Sequence, residues 1–209
     1  MPTDGELLAA WRTGDDAAGR ELFARHFDGL YRFFANKVGR GIEDLVQETF
    51  LACVEHRGDI REVSSFRGFL YGVARRRLYR KWRDENRGAG AIDIGLTSVA
   101  ELGPSPSAIA ADAQEQKLIL GALRRIPLEF QIALELFYWE DLRASELAAV
   151  LEIPEGTVRS RLRRGRQLLE KQINLLAKTG RHADDVTGDL EQWARSIRAV
   201  ISPSGTDGS

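Results

Sequence analysis

The chain has 209 residues, of which 43% are apolar and 29% charged, and its formal net charge is −1. This composition is typical of a globular protein with one or two domains, and it excludes a uniformly basic polyanion binder. A lone cysteine, Cys53, excludes a disulfide within the chain, and the three histidines lack the spacing of metal ligands. We therefore expect no metal and no other cofactor. No signal peptide or long apolar run is visible, so we expect a soluble, cytoplasmic protein.

The charges are segregated along the chain. Residues 71–87 carry a net charge of +5, residues 157–171 carry another +5, and residues 89–117 between them carry −3. Two basic segments separated by an acidic one favour contact with nucleic acid at two places.

Three amphipathic segments open the chain and predict an all-α fold. Helices are expected over residues 3–12, 16–38 and 42–55, with breaks at the glycines between them. The second helix has a wide apolar face that is predicted to form a bundle core, made of Leu22, Phe23, Phe27, Leu30, Phe33 and Phe34.

The third helix has one apolar and one polar face. Its inward face is predicted to contain Leu45, Val46, Thr49, Phe50 and Cys53. The opposite face carries Asp44, Gln47, Glu48 and Leu51. That face either docks a partner or is simply solvated.

The helix predicted over residues 66–83 mixes aromatic side chains with a basic cluster. Basic charge can follow a nucleic-acid backbone while aromatic rings stack on exposed bases, which suits single-stranded DNA or RNA. The alternative places the rings in the core and the arginines in solvent. We expect Phe69, Val73 and Leu78 in the core, and outward candidates at Arg76, Arg80 and Arg83 together with Tyr79 or Trp82.

A helix-turn-helix is predicted near the C-terminus. A short helix over residues 145–151 is followed by a tight turn and by a basic helix over residues 154–171. The apolar stripe of that second helix is Val158, Leu162, Gly165 and Leu169. Five arginines flank the stripe, as expected for a helix that enters the major groove; an arginine-rich surface helix of an ordinary bundle is the alternative.

The composition also sets the predicted boundaries. An N-terminal domain covers residues 1–87, a linker rich in glycine, serine and proline covers 88–107, and a four-helix domain covers 108–175. The extension 176–209 is polar except around Trp193, where apolar spacing predicts either one short docking helix over 190–201 or a frayed tail.

Four motifs together resemble one family. They are DLVQETF at 44–50, FRGFLYGVAR at 66–75, LRRIP at 123–127 and GTVRSRL at 156–162. In this order and spacing they resemble the extracytoplasmic-function (ECF) sigma factors, small two-domain specificity subunits of bacterial RNA polymerase within the sigma-70 superfamily. The resemblance covers about residues 5–173 and implies two helical domains joined by a flexible linker.

The resemblance also implies partners and residue roles. The partners would be core RNA polymerase, promoter DNA and an anti-sigma factor. Asp44, Gln47 and Glu48 would dock on the polymerase clamp. The loop 57–65 and the following helix would read and open the minus-10 element, with contacts from Arg76, Tyr79, Arg80 and Arg83. The helix-turn-helix would read the duplex minus-35 element through Arg159, Ser160, Arg161, Arg163, Arg164 and Arg166, with Arg161 and Arg166 mainly on phosphate.

The chain departs from the family pattern at three positions. Arg76 and Arg80 stand where the family often has Asn and Asp, and Gly165 stands where it often has Ala. The two arginines should change the minus-10 preference and strengthen attraction to phosphate.

Two other classes of function are alternatives to a sigma factor. A stand-alone helix-turn-helix regulator would have a ligand or dimerisation domain at its N-terminus, where a ligand domain has no need of the basic helix. An enzyme would need converging carboxylates, a nucleophile or a metal site, and no such set is evident, so we expect no catalytic residues.

Overall fold

The computed structural model describes residues 1–58, 60, 66–86, 97–102 and 114–179. Within these ranges the chain forms helices and one isolated β-bridge, which confirms the all-α prediction. The helices are α1 (Asp4–Arg12), α2 (Asp16–Ala35), α3 (Ile42–Glu55), α4 (Phe66–Glu85), α5 (Val99–Leu102), α6 (Gln114–Leu123), α7 (Leu128–Tyr138), α8 (Ala144–Leu151) and α9 (Glu155–Thr179).

Local side-chain caps explain where the first two helices begin. The Thr3 hydroxyl accepts from the Glu6 amide at 3.3 Å, and the Glu6 carboxylate accepts from the Thr3 amide at 2.7 Å. This reciprocal pair is a capping box. The Asp15 carboxylate accepts from the amides of Ala17 and Ala18 and begins α2. These side chains therefore accept hydrogen bonds from amides at the start of each helix, which have no partner within the helix.

Helices α1 to α4 form the N-terminal unit, whose core is built from the predicted apolar faces. Leu22, Leu30 and Phe34 are fully buried in it, as are the aromatic and aliphatic residues of α4 that face them. The prediction for Phe27 is wrong: its side chain is 41% exposed and stacks on Tyr31 with ring centroids 6.3 Å apart. The helical period places Phe27 at the rim of the apolar face, beyond the reach of α3 and α4.

Helices α6 to α9 form the C-terminal unit. The segment 97–102, which lies within the predicted linker 88–107, packs on this unit. Ser98 and Pro127 form the isolated antiparallel bridge, Leu128 donates to the carbonyl of Thr97 at 3.0 Å, and Ala100 donates to that of Arg124 at 2.9 Å. The chain therefore joins the C-terminal unit before α6 begins.

The predicted stripe of the last helix is confirmed. Val158, Leu162, Gly165 and Leu169 are all buried, and α9 continues to Thr179, past the predicted end at 171. The Cβ that an alanine would add at Gly165 lies 3.3 Å from Leu134, so the absence of a side chain here lets α9 approach α7 closely. The predicted helix over 190–201 lies outside the described residues.

The two units pack directly against each other. Helix α8 of the C-terminal unit lies along α4 of the N-terminal unit, and α7 meets the end of α2 through buried polar side chains. The sequence predicted two domains and a linker, without a contact between the domains.

Candidate nucleic-acid interface

Helices α8 and α9 form the helix-turn-helix that the sequence predicts. Leu147, Val150 and Leu151 of α8 are buried, as expected. Glu152 ends α8 with a left-handed backbone, φ 56°, and Ile153 donates back to the carbonyl of Ala148 at 3.1 Å. This left-handed residue is what turns the chain sharply enough for α9 to start at Glu155.

The polar residues of α9 fall into two groups. Arg159, Ser160, Arg163 and Arg164 are exposed on one side of the helix. Arg161 instead faces α7, where its guanidinium lies 2.7 Å from the Glu129 carboxylate, and only 18% of its side chain is exposed. Arg166 lies over the ring of Tyr138 at 5.5 Å. The outward group is therefore the better placed for a DNA groove.

Helix α4 presents Arg76, Arg80 and Arg83 to solvent, the orientation predicted for them. Tyr79 is half-buried, and its hydroxyl accepts a hydrogen bond from Arg75 Nε at 3.2 Å. Burial raises the pKa of Tyr79, and the neighbouring charge of Arg75 opposes the shift. The tyrosine is therefore neutral at ordinary pH, with its ring held under the Arg75 guanidinium at 4.7 Å.

Trp82 was an outward candidate, and this prediction is wrong. Its side chain is only 4% exposed and belongs to the core of the N-terminal unit. Of the core residues predicted for this helix, Val73 and Leu78 are buried and Phe69 is half-buried. In this helix the rings are therefore mostly buried, Arg76, Arg80 and Arg83 are exposed, and Tyr79 is intermediate.

An open cavity of about 650 Å³ lies beside these α4 residues. Its walls come from three helices and include His56 at the end of α3, Phe69 and Tyr79 in α4, and Glu152 at the end of α8; Arg76, Arg80 and Arg83 stand around it. Basic groups around a partly aromatic wall suit an unpaired nucleotide. Most of the loop 57–65, which was expected to contribute here, lies outside the described residues.

The outer face of α3 is exposed where the sequence predicts it. Asp44, Gln47 and Glu48 reach solvent, and Glu48 also lies 3.3 Å from Arg77 of α4. Leu51 on the same face is 55% exposed, and Val54 is 42% exposed. An acidic surface with exposed apolar side chains is typical of a protein-binding site.

A further set of polar residues lies between the two units and was not identified from the sequence. Lys37 pairs with Glu135, whose carboxylate also accepts from Asn36 at 2.7 Å and from Gln131 at 2.8 Å. Asn36 and Lys37 lie about a hundred positions from Glu135 in the chain, so no local spacing relates the two sides of this contact. The only hint in the sequence is a lysine within an apolar helix end, in the stretch FFANKV at 33–38.

The described residues contain no group of three His, Cys, Asp or Glu side chains that could hold a metal ion. Among the same residues, no helix is long and apolar enough to cross a membrane. Cys53 is fully buried, and burial raises the pKa of its thiol from 9.0 to about 12 while the charge of Arg76 opposes the shift. A thiol in this state is a poor nucleophile.

Two family models match the chain in the order of its two units. Sigma-70 region 2 matches residues 22–88, which lie in the N-terminal unit and just past it. Sigma-70, region 4 matches residues 116–169, from α6 into α9. Both models describe parts of the sigma-70 class of transcription factor, and the arginines of each basic helix fall within one of them.

Curated relatives that match most of this chain narrow the class of sigma factor. The chain is 32% identical over 167 residues to the ECF RNA polymerase sigma factor SigE of Mycolicibacterium smegmatis, covering 77% of this chain and 65% of that protein. It is 26% identical to the ECF RNA polymerase sigma-E factor of Haemophilus influenzae, covering 83% of this chain and 97% of the relative. It spans only 34% of a third relative, the probable RNA polymerase sigma factor RfaY of Xanthomonas campestris, at 27% identity.

A solved structure shares the fold. It is the sigma factor RpoE in complex with the anti-sigma factor NepR from Bartonella quintana, which matches with a TM-score of 0.56 and 19% identity and covers 75% of this chain and 96% of that one. Together, the two family models, the curated relatives and this fold place the molecule: the chain belongs to the ECF group of the sigma-70 family of RNA polymerase sigma factors.

Proposed function

We propose that this protein binds core RNA polymerase and directs it to promoters that it reads at two elements. One observation supports this above the others. The chain carries two separate basic helices whose arginines fall in different sigma-70 regions, and each helix presents at least three arginines to solvent. A stand-alone helix-turn-helix regulator would need only the second of them.

The roles of the two helices follow from their surroundings. In α9 we assign duplex minus-35 contacts to Arg159, Ser160, Arg163 and Arg164, since these side chains leave the apolar stripe on the exposed side. Arginine can bond a guanine edge with two hydrogen bonds, which gives base selectivity in the major groove. Arg161 and Arg166 remain candidates for phosphate contacts at the margin of this face, since both stay partly exposed.

For α4 we assign minus-10 contacts to Arg76, Arg80, Arg83 and Tyr79. Extruding a base from duplex DNA costs a few kcal/mol, and stacking on an aromatic ring returns roughly 1–3 kcal/mol per base. Phosphate contacts from the arginines supply the remainder and make binding salt-dependent. The aromatic and basic walls of the neighbouring cavity support this assignment.

The outer face of α3 is our candidate for polymerase docking, through Asp44, Gln47 and Glu48. We also infer an anti-sigma partner, because the related fold was solved in complex with the anti-sigma factor NepR. Such a function needs no catalytic residue. We expect the protein to act in the cytoplasm, where polymerase and chromosome are found.

The test is a pull-down of bacterial core RNA polymerase followed by run-off transcription from a promoter library. We expect the protein to bind polymerase and to select promoters with a shared pair of elements. Arg159→Ala/Arg163→Ala should abolish promoter-specific transcription and leave polymerase binding near wild type. Arg12→Ala/Arg20→Ala, which removes two exposed arginines of α1 and α2, is the matched control. Specific duplex binding without polymerase association would instead indicate a stand-alone regulator.

A further inference from the structure

The cavity of about 650 Å³ beside α4 carries an excess of positive charge. Five arginines line it, and Glu152 is the one carboxylate among the described residues of its wall. The arginines are Arg75, Arg76, Arg77, Arg80 and Arg83. A cleft lined by one sign of charge focuses the electric field and concentrates ions of the opposite sign. The cavity is therefore suited to an anionic ligand.

A second cavity, of about 620 Å³ between α3 and the C-terminal half of α4, provides the contrast. Four carboxylates accompany the three basic side chains of its wall. Arg77 lies 3.3 Å from the Glu48 carboxylate, and Lys81 lies 3.1 Å from that of Glu85. The protein itself neutralises this second wall, so nothing in it selects a charged ligand.

The arginines of the first cavity are not neutralised in this way. Arg75 and Arg76 share one carboxylate, that of Glu152, at 3.6 Å and 3.4 Å. Arg80 borders both cavities, yet neither Arg80 nor Arg83 forms an ion pair with the described residues. Two guanidinium groups at one end of the cavity are therefore available to an anion from solution.

The face of α4 that lines the cavity changes character along its length. Phe69, Val73, Arg76, Arg80 and Arg83 are spaced alternately by four and three residues, which places them on one side of the helix. The N-terminal end of this face is apolar and the C-terminal end is basic. Val73 and Arg80 are separated by about 10 Å along the axis, at 1.5 Å per residue.

Glu152 lies beside the middle of this face, next to Arg76. Its side chain is 58% exposed, so its oxygens can accept further hydrogen bonds. Carboxylates commonly accept from the hydroxyl groups of a ribose. Along α4 the cavity thus offers an apolar and aromatic wall, then a hydroxyl acceptor, and then two guanidinium groups. A nucleotide presents its base, its ribose and its phosphates in the same order.

We propose that this cavity binds a free ribonucleotide that carries two or more phosphates. The base lies against Phe69 and Val73, the ribose hydroxyls donate to Glu152, and the phosphate oxygens accept from Arg80 and Arg83. Arginine binds phosphate through two parallel hydrogen bonds, and the cavity has the volume of a typical small-molecule site.

The site goes beyond the promoter recognition proposed above, because its ligand is a free nucleotide. DNA lacks the 2′-hydroxyl group through which a protein distinguishes RNA from DNA, so the Glu152 contact favours the ribonucleotide. The arginines at the phosphate end are also among the proposed minus-10 contacts. A bound nucleotide therefore competes with promoter DNA for them.

Equilibrium dialysis of the full chain against radiolabelled ADP and GDP tests the site without polymerase or promoter DNA. We expect saturable binding of at least one of the two nucleotides. Arg80→Ala/Arg83→Ala should weaken this binding by on the order of 10-fold, because it removes both charged phosphate contacts. Both side chains are exposed, so the variant should keep its fold. Arg12→Ala/Arg20→Ala, which removes two exposed arginines away from the cavity, is the matched control and should bind as wild type does.

The ribose contact has a readout of its own. Wild-type protein should bind the ribonucleotide about 5-fold more tightly than its 2′-deoxy counterpart, the effect of one hydrogen bond. Glu152→Gly should abolish that preference, and glycine suits the left-handed backbone at this position. A purely structural role of Glu152 would weaken both nucleotides equally and leave their ratio unchanged.

Three results would overturn the proposal. The first is no binding of either nucleotide up to about 1 mM, or equal binding by wild type and Arg80→Ala/Arg83→Ala. The second is competition by inorganic pyrophosphate as strong as that by the nucleotide, which would indicate a general anion site. The third is a ribose preference that Glu152→Gly leaves unchanged. None of these results bears on the proposed function, which the polymerase pull-down and run-off transcription decide separately.

Discussion

The ammonium group of Lys37 at the end of α2 lies against the carboxylate of Glu135 in α7, and neither side chain is more than 2% exposed. Burial lowers the pKa of Lys37, and the charge of Glu135 opposes that shift. Asn36 and Gln131 donate to the same carboxylate, so the pair is embedded in a hydrogen-bonded network. Such a network is costly to break from one side.

Glu135→Leu should lower the free energy of unfolding by about 3–5 kcal/mol, because it leaves the Lys37 ammonium buried without its partner. Adding Lys37→Met should recover a large part of that loss, since the second change removes the unpaired charge. Urea unfolding followed by circular dichroism measures both. A single variant as stable as wild type, or a double variant no better than the single one, would contradict this account.

A substitution at Gly29 tests the contact between the two units by steric overlap. A Cβ at position 29 would overlap the Glu140 carboxylate and come within 2.6 Å of the Tyr71 hydroxyl; Tyr71 is fully buried, and the Glu140 carboxylate is paired with Arg32. Gly29→Ala should therefore destabilise the protein by roughly 1–3 kcal/mol, despite the better helix propensity of alanine.

Gly5→Ala in α1 is the matched control for Gly29. Its Cβ would meet nothing closer than the Thr3 hydroxyl at 3.9 Å, so the substitution should be neutral or stabilising by up to about 1 kcal/mol. Thermal melts of the two variants separate the propensity effect from the steric one. Equal melting temperatures for both variants would mean that the close approach of Glu140 to α2 adds no steric cost at position 29.

The helices could be predicted from the sequence because each is marked by a local pattern of residues. The capping box of Thr3 and Glu6 and the buried stripe of α9 are both visible as spacing in the chain. The exposed arginines of α4 and α9 follow from the same period. Phe27 and Trp82 were misassigned because spacing gives a direction on the helix but not how far the neighbouring helices extend over it.

The contact between the units could not be predicted in this way. Glu135 is selected by Lys37, Asn36 and Gln131 acting together, and the first two are about a hundred residues away in the chain. The low net charge of the whole chain also hides the pairing, since acidic and basic partners cancel in composition. Only tertiary structure brings them together.

Arg161 and Arg159 lie two positions apart in α9 and should behave differently. Arg161 is paired with Glu129 in a half-buried setting, whereas Arg159 is exposed. Arg161→Ala should lower the free energy of unfolding by about 1 kcal/mol, and Glu129→Ala should do the same. Arg159→Ala should change stability by less than about 0.5 kcal/mol but weaken binding to minus-35 duplex DNA.

Urea unfolding and fluorescence anisotropy with a duplex selected from the promoter library measure the two effects separately. Glu129→Ala serves as the internal control, because it removes the ion pair while leaving every arginine of α9 in place. If Arg161→Ala costs more DNA affinity than Arg159→Ala, the division of α9 into an outward and an inward group is wrong.

The buried thiol of Cys53 should make the stability of the N-terminal unit depend on pH. Burial raises the pKa of its thiol from the ordinary value of 9.0 to about 12 in the folded protein. The folded state therefore holds this proton more tightly than the unfolded state does. The resulting stability is complete below pH 9 and is lost as the pH rises from 9 to 12.

By pH 10.5 the loss from this one thiol should be on the order of 2 kcal/mol, since each pKa unit corresponds to about 1.4 kcal/mol. Burial also raises the pKa of Tyr71 and Tyr79, so these residues add to the alkaline decline of any variant. Comparing wild type with Cys53→Ala cancels their contribution. The stability difference between the two proteins, from urea unfolding at pH 8 and pH 10.5, should shift against wild type by that amount. A pH-independent difference would mean that the thiolate forms in the folded core without penalty, and iodoacetamide would then label Cys53 in the native protein at pH 10.5.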